Sequence, residues 1–476
     1  MEHRVNSYIT AGSIISSLGF GTEENFSRIR EYRSGIARVE DTALFDTPFM
    51  AARIDNTRLK ALAQELDGYT RMEQLFILSL SDTIRQSGID PADPGCGLIL
   101  STTKGNIDGL AASRNEHSIT LAIDTQLRSQ SAPDYGRNRH PIGESATASS
   151  GLFGMAMRVA GYFGCVNEPI VISNACISGV SALIVASRLI EAGKYKHILV
   201  AGGDLLTRFV VTGFQSFKSV SPEICKPYDK TRDGLSLGEA CGSVLVTSDR
   251  GLVGEEQPVS IAGGSITNDA NHISGPSRTG DGLYYAISQA MDEAGLQQEA
   301  ISFVNAHGTA TLYNDEMESK ALHWAGLDHL PLNSMKSYWG HTLGASGIIE
   351  VIACMEELRC GEVFGTFGFE ACGVPYPLSV SAAHKKVAMA HCVKTASGFG
   401  GCNAAVVLSL EGESFDTPPA PSREGKGYSR RTVVIERGKI VLDGEVLLET
   451  EPAGAFATFI RAAYKSLALD DRKFYK

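Results

Sequence analysis

The sequence lacks the charge pattern of a nucleic-acid-binding protein. Its 476 residues carry a formal net charge of -11, and no run of Lys and Arg that could follow a phosphate backbone occurs in the chain. We therefore expect no nucleic-acid partner. A local positive patch for one acidic protein partner is still compatible with this composition.

The sequence also lacks long hydrophobic runs. No window offers the roughly 18 consecutive apolar residues that a membrane-spanning helix needs. The first residues, MEHRVNSYITAGSIISS, show no basic segment followed by an uninterrupted apolar stretch, as a secretory signal would. We expect a soluble, cytoplasmic protein without a membrane span.

Paired cysteines are absent as well. The ten cysteines are scattered singly between Cys96 and Cys402, without CxxC pairs and without Cys/His clusters at metal-ligand spacing. This pattern indicates reduced thiols in a reducing compartment and predicts no metal site. We expect one or two of these thiols to be chemically special.

What is present is the alternation of strands and helices of an α/β protein. EPIVISNAC predicts a buried strand that leads into a helix over ISGVSALIVASRLIEAGKY, and HILVAGGD and CGSVLVTSD predict further strands. The second half repeats this order, from VSIAGGSITN to a final strand in NAAVVLSLE. The length and the repeat predict a duplicated α/β core.

The character of the sequence changes after residue 411. EGESFDTPPAPSREGKGYSRR is typical of a linker, because it is rich in Pro, Gly, Ser and charge. RTVVIERGKIVLDGEVLLET then predicts short antiparallel strands, and AGAFATFIRAAYKSLAL predicts an amphipathic helix. No motif in this C-terminal segment indicates a role for it.

Cys176 is a candidate nucleophile. It follows a buried strand and precedes a helix, within Asn174-Ala175-Cys176-Ile177-Ser178-Gly179. The positive end of the helix dipole and nearby backbone N–H groups predict a lowered pKa for this thiol, which favours the thiolate. A buried, inert cysteine at a tight packing point is the alternative.

Two histidines and a glycine-rich turn follow along the chain. His307 lies among small residues in NAHGTAT, where a ligand could approach closely, and His341 lies in KSYWGH ahead of a glycine-rich helix start. SGFGGCN then precedes the last strand. Either histidine alone could be structural, but the ordered combination with Cys176 points to one catalytic site.

These motifs together resemble the elongating β-ketoacyl-acyl carrier protein synthases of the thiolase superfamily, over about residues 5 to 411. KPYDKTRDG followed by LGEA is similar to the family's PFD-x-x-RDG-x-x-x-GEG block, and NDANHISGP is similar to its SSDAYHxTxP segment. The resemblance implies a five-layered αβαβα thiolase-like fold. We expect an N-terminal half over 1–250 with the nucleophile, a C-terminal half over 251–411 with both histidines, and an appendage over 412–476.

The resemblance also implies the chemistry. Cys176 would take an acyl group from the phosphopantetheine thioester of an acyl carrier protein, and His307 and His341 would act on a malonyl thioester as it loses carbon dioxide. The backbone N–H groups of Cys176 and Phe399 would hold the oxyanion. Phe399 also matches a gating position beside the acyl pocket, and no tightly bound cofactor is implied.

Further residues match supporting positions of the family. Lys336 would orient or electrostatically bias the histidines, with Glu350 as its partner. A surface salt bridge is the alternative explanation for that pair. Thr309 and Thr311 match positions that bond the pantetheine arm, and Ser274 is a further candidate for this role. The implied partners are an acyl carrier protein and a second subunit, either an identical copy or a related chain.

Two features depart from the family pattern within the core. Cys402 stands where Thr is more usual, and STTKGN at 101–106 replaces a glycine-rich pocket segment. The second departure leaves the acyl preference open between fatty-acid elongation and a specialised type II polyketide or polyene pathway.

Two other functions are alternatives for a chain of this family. A non-catalytic chain-length partner typically loses the cysteine, which Cys176 argues against. An acyl-CoA-using condensing enzyme pairs its Cys with His and Asn, whereas NAHGT and KSxxGH indicate two histidines.

Overall fold

The structure is a computed structural model. It describes residues 6–107, 151–253, 257–270 and 275–412, together with three strands between residues 433 and 449. Met1–Thr417 forms one compact unit, and Pro418–Lys476 forms a second.

The α-helices of the described residues alternate with strands along the first unit. In chain order they are α1 (Thr22–Arg30), α2 (Asn56–Leu62), α3 (Arg71–Ser87), α4 (Leu152–Tyr162), α5 (Ser178–Glu191), α6 (Arg208–Ser216), α7 (Asp281–Ala294), α8 (Leu312–Trp324), α9 (Lys336–Trp339) and α10 (Ser346–Cys360). Short 3₁₀ turns cover Arg250–Val253, Gln298–Ala300 and Leu343–Ala345.

The strands of the first unit form one large sheet and two small ones. They are β1 (Tyr8–Ser16), β2 (Gly19–Phe20), β3 (Ile36–Val39), β4 (Phe49–Ala52), β5 (Cys96–Ser101), β6 (Ile170–Ile172), β7 (His197–Asp204), β8 (Leu237–Gly238), β9 (Ala240–Thr247), β10 (Val259–Asn268), β11 (Phe303–Asn305), β12 (Leu332–Asn333), β13 (Glu362–Val363), β14 (Lys385–Lys386), β15 (His391–Gly398) and β16 (Cys402–Leu410).

The large sheet has eleven strands, which are two sets of five with the same topology and β2, which pairs with β1. The first set runs β6-β5-β7-β9-β1 and the second runs β12-β11-β15-β16-β10. In the first set β5, β6 and β7 are parallel, and β1 pairs antiparallel with β9. In the second set β11, β12 and β15 are parallel, and β10 pairs antiparallel with β16. The sets join where β1 pairs with β10 through only two residue pairs, Tyr8 with Ser260 and Ile9 with Val259.

Helices cover both faces of these strands. α5 and α10 pack on each other and on strands of both sets, whereas α3 lies on the far side of the first set and α7 on the far side of the second. One hydrophobic cluster fills the space around α5 and α10, and a separate cluster lies under each outer layer. This arrangement is a five-layered α/β architecture, in which helices separate and flank two sets of strands.

The sequence explains why the strands lie inside. Seven of the eight residues of β7 are buried, and β9 is buried throughout. Such strands are rich in small and β-branched residues on both faces, as sheets covered by helices on both sides require. The outer helix α3 begins with a capping box formed by Thr70 and Glu73, and it ends at Gly88 in the left-handed conformation.

The second unit contains β17 (Val433–Glu436), β18 (Lys439–Leu442) and β19 (Glu445–Glu449), which form an antiparallel sheet in the segment where short strands were expected. The amphipathic helix expected after them lies outside the described residues. Among the described residues, no helix is long and apolar enough to cross a membrane.

Candidate active site

Cys176 lies in a tight turn between β6 and α5. Ala175 before it has a φ of 46°, a left-handed conformation that is uncommon for a residue with a side chain. Ser178 stabilises the turn, because its hydroxyl accepts from the Asn174 N–H at 2.8 Å and donates to the Ala175 carbonyl at 2.6 Å. The turn therefore fixes the direction in which the thiol points.

The glycine-rich end of β15 closes over this turn. A Cβ atom on Gly398 would lie 3.0 Å from the Cys176 nitrogen, so only glycine allows the two backbones to approach in this way. The next residue, Phe399, donates a backbone hydrogen bond to the Cys176 thiol. Phe399 was expected to supply an oxyanion N–H, and this group already faces the sulfur.

The expected low pKa of Cys176 is wrong for this structure. Cys176 is 6% exposed, and burial raises the pKa of its thiol to about 11. Lys336 and the Phe399 N–H lower the pKa, but they do not outweigh the loss of hydration. Burial, the alternative that the sequence also allowed, outweighs the expected effect of the helix dipole.

His307 lies two residues after the end of β11, and its loop is held by carboxylates of α8. Its backbone N–H donates to Glu318 at 2.9 Å, and the Gly308 N–H donates to the same carboxylate at 2.8 Å. Asp315 accepts the next two backbone N–H groups, those of Thr309 and Ala310, at 3.1 and 3.2 Å. Asp315 and Glu318 thus fix the loop that carries His307.

His341 follows α9, and its side chain is oriented by the backbone. The Leu343 N–H donates to Nδ1 of His341 at 3.4 Å, and the Ser346 hydroxyl lies 3.2 Å from the same nitrogen. Because a backbone N–H can only donate, Nδ1 acts as the acceptor and the ring proton resides on Nε2. His341 is therefore set to donate a hydrogen bond from Nε2.

The two histidines are neighbours. The ring centroids of His307 and His341 lie 5.2 Å apart, with their planes at 84°. Burial lowers the pKa of both imidazoles well below the ordinary value, and Lys336 and Lys394 lower it further. Both rings are therefore uncharged at neutral pH.

Lys336 and Glu350 form a buried ion pair. The ammonium of Lys336 donates to Glu350 at 2.7 Å, and both side chains are at most 3% exposed. The alternative of a surface salt bridge does not apply to a pair at this depth. Lys394 on β15 also contacts Glu350, at 2.8 Å from its other carboxylate oxygen. Lys394 was not predicted from the sequence, because a single Lys within a strand carries no motif.

Asp204 at the end of β7 connects the 101–106 segment to the start of α10. Its carboxylate accepts from the Thr103 N–H at 2.9 Å and from the Gly344 N–H at 2.7 Å, while the Thr102 hydroxyl donates to it at 3.0 Å. Asp204, whose carboxylate is fully buried, was also not predicted from the sequence. Asp204 thereby holds residues 101–106 against the start of α10, the helix that carries Glu350.

A cavity of about 310 Å³ opens onto Cys176. Cys176 and His341 line it together with Thr309 and Thr311, whose hydroxyls lie 2.9 Å apart. Its other walls are formed mainly by aromatic and small residues, namely Phe214, Phe217, Ser219, Leu235, Asp269, Gly275, Pro276, Tyr313, Asn314, Ser397, Gly398, Phe399 and Asn403. The cavity can hold an elongated, largely apolar group next to the thiol.

Three phenylalanine rings form the aromatic wall. Phe399 stacks on Phe214 with centroids 5.4 Å apart, and its edge contacts Phe217 at 5.5 Å. The remaining site residue from the sequence analysis, Ser274, lies outside the described residues. Cys402 is the half-buried first residue of β16, where Asn268 donates to its sulfur at 3.3 Å.

Comparison with known proteins agrees with this geometry. Residues 8–250 match the N-terminal domain of beta-ketoacyl synthases, and residues 259–370 match their C-terminal domain. The 3-oxoacyl-[acyl-carrier-protein] synthase 2 of Vibrio cholerae is 26% identical over 421 residues, which cover 84% of this chain and 98% of that protein.

Two solved structures have the same fold. The ishigamide ketosynthase/chain length factor has a TM-score of 0.71 at 25% identity and covers 86% of this chain and 100% of its own. A ketosynthase in complex with its chain length factor, from Xenorhabdus doucetiae, has a TM-score of 0.69 at 24% identity, covering 86% and 99%. The predicted thiolase-like fold and the predicted family are confirmed, and the chain belongs to the β-ketoacyl synthases, the condensing acyltransferases of the thiolase superfamily.

Proposed function

We propose that this protein condenses an acyl group on Cys176 with a malonyl group on an acyl carrier protein, with His307 and His341 as the catalytic histidines. One observation carries the proposal. Cys176 and His341 line the same cavity, and the His307 ring lies 5.2 Å from that of His341. A nucleophile and two uncharged imidazoles therefore meet where an acyl chain can enter.

In the first half-reaction the Cys176 sulfur attacks the carbonyl carbon of an acyl thioester. The thiol proton passes to the uncharged His307 during the attack, because burial keeps the free thiol protonated at neutral pH and both ring nitrogens of His341 are already engaged. The Phe399 N–H faces the sulfur and can hold the oxyanion together with the Cys176 N–H. The bond to the pantetheine sulfur breaks, and the departing thiolate takes the proton back.

In the second half-reaction a malonyl thioester occupies the cavity. The N–H of His341 and that of His307 donate to its thioester carbonyl, which stabilises the enolate as the bond to the carboxylate breaks and carbon dioxide leaves. The enolate carbon attacks the acyl-Cys176 carbonyl. A new carbon–carbon bond forms, the bond to Cys176 breaks, and the released thiolate takes up a proton from solvent.

The substrates arrive on phosphopantetheine, which makes an acyl carrier protein the expected partner. Thr309 and Thr311 line the cavity and offer hydroxyl groups to the amides of such an arm. The aromatic wall of Phe214, Phe217 and Phe399 accommodates a flat, apolar acyl chain. The two structural relatives that pair with a chain length factor favour a two-subunit assembly in a type II pathway, with a fatty-acid elongating homodimer as the second possibility.

The other functions fit the geometry less well. A chain-length partner needs no nucleophile, yet Cys176 sits in a specialised turn and lines one cavity with His341. An acyl-CoA-using condensing enzyme would pair its Cys with one His and one Asn, whereas here a second imidazole, that of His307, lies 5.2 Å from the His341 ring.

Intact mass spectrometry tests the proposal. The wild type, Cys176→Ala and a control, Cys402→Ala, are incubated with a panel of acyl-carrier proteins and then with malonyl-carrier protein. We expect the wild type and Cys402→Ala to gain the acyl mass and to release an extended product, and Cys176→Ala to do neither. The proposal is wrong if the wild type fails to load, or if Cys176→Ala loads as well as the wild type.

A further inference from the structure

The carboxylate of Glu350 holds two buried lysines. Lys336 on α9 donates to one oxygen at 2.7 Å, and Lys394 on β15 lies 2.8 Å from the other. Lys394 also donates to the Thr395 carbonyl at 2.7 Å, and its side chain is fully buried. Three elements that are separate in the chain therefore meet at one carboxylate.

This arrangement leaves more positive than negative charge on the three side chains. Removing an ammonium from water is unfavourable, and pairing with Glu350 alone can offset this for only one of the two lysines. A second buried lysine therefore does not stabilise the core through ion pairing alone, and its charge acts on the groups around it.

The groups that face this charge come from several elements. Lys336 lies within electrostatic range of Glu318, and Lys394 within range of Glu357 and Cys354, which neighbours Cys392. Glu357 is uncharged at neutral pH, because burial raises its pKa to about 8. The imidazoles of His307 and His341 face both lysines.

We propose that Lys394 is a positioning residue of the condensation site. Its ammonium fixes the second oxygen of Glu350, so that Lys336 is held in one place, and it adds a buried positive charge that opposes protonation of both histidines. An imidazole that stays uncharged can accept the thiol proton, and the Nδ1 of His341 remains free to accept the Leu343 N–H. This proposal rests on the function proposed above.

Variants that change the number of buried charges distinguish this positioning role of Lys394 from a structural one. Lys394→Met removes one positive charge, whereas Lys394→Met combined with Glu350→Gln removes one charge of each sign and restores the original sum. Glu357→Gln is the matched control, because it alters the same core next to Lys394 without changing the charge at neutral pH. Where the Met variant does not fold, Lys394→Gln replaces it and still offers Glu350 a hydrogen bond.

The experiment follows ionisation of His307 and His341 by NMR of ring-labelled protein, and acyl loading by intact mass. We expect both rings in Lys394→Met to take up a proton at higher pH than in the wild type, and to return to the wild-type range in the double variant. The acid limb of the pH profile for condensation should move in the same way. Glu357→Gln should titrate like the wild type.

Two results would overturn the proposal. One is identical ring titration in the wild type and the Lys394 variants, and the other is a double variant displaced further than the single one, as expected if lost packing alone mattered. Failure of the proposed function would give a different result. In that case the wild type would not gain acyl mass at Cys176, while the NMR comparison would still decide the role of Lys394.

Discussion

Gly347 lies directly against Val180 where the two central helices begin. A Cβ atom on Gly347 would come within 2.3 Å of the Val180 nitrogen, and one on neighbouring Gly179 within 2.9 Å of the Ile348 nitrogen. Only a pair of glycines lets α5 and α10 approach this closely. The contact lies three residues after Cys176 and six after His341, so it sets the distance between nucleophile and histidine.

We predict that Gly347→Ala destabilises the protein and impairs its chemistry. The added methyl would force backbone apart, which typically costs about 1–3 kcal/mol. Gly161→Ala is the control, because nothing lies within 4 Å of the methyl it adds to α4. Denaturant unfolding should show a loss for Gly347→Ala and no loss for Gly161→Ala. Equal stability of the two variants would contradict the close packing.

His341→Ala should separate the two half-reactions. Removing one donor to a developing oxyanion typically costs about 10²–10³-fold in rate. We expect release of carbon dioxide from malonyl-carrier protein to fall by this order, while Cys176 still accepts an acyl group. Single-turnover loading and labelled carbon dioxide release measure the two steps. A parallel loss of both steps would assign His341 mainly to acyl transfer.

The condensation rate should persist below the usual pH range of histidine. Burial lowers the pKa of His307 and His341 well below the ordinary value of about 6.5. In the proposed mechanism the uncharged rings are the active form, so we expect activity above their pKa and its loss only as pH falls through it. The acid limb of kcat/KM against pH should therefore lie below about 6.5, and a limb at or above this value would argue against the buried, uncharged pair.

Phe214→Ala should shift the acyl preference toward longer or bulkier groups. Loss of this ring removes one wall of the cavity and the stacking partner of Phe399. Phe209→Ala on the same helix is the control, since the Phe209 ring is 62% exposed and does not line the cavity. Competition between acyl-carrier proteins of different chain length measures the shift. An unchanged preference would place the acyl chain elsewhere.

Glu357→Gln should change how stability depends on pH. Burial raises the pKa of Glu357 to about 8, above its value of about 4.3 in an unfolded chain. The folded state thus holds a proton that the unfolded state releases, so this contribution to stability is fully present below about pH 4.3 and is lost as pH rises toward 8. Gln has no such proton, and the variant should gain stability relative to the wild type between pH 5 and pH 8 in urea unfolding. A constant difference across this range would contradict the raised pKa.

Much of the fold was accessible from the sequence because its strands are buried on both faces. HILVAGGD corresponds to β7 without a shift, and NAAVVLSLE lies within β16 apart from its last residue. The motif residues Cys176, His307 and His341 were found because small residues surround them. Their roles remain predictions.

The rest of the site could not be read from the sequence. Lys394, Asp204 and Glu318 act through contacts with residues distant in the chain, and nothing local distinguishes them from ordinary strand or helix residues. The pKa of Cys176 was misjudged for the same reason, since burial depends on elements that fold over the turn from the other half of the chain.

The division of the site between the two sets of strands has a consequence for how the protein is made. The set that carries Cys176 leaves the ribosome before the strand and helices that hold His307 and His341, and domains tend to fold in the order of synthesis. A partly translated chain thus contains the Cys176 thiol without His307 and His341. On the proposed mechanism, we expect the growing polypeptide not to consume thioesters until the second set of strands is in place.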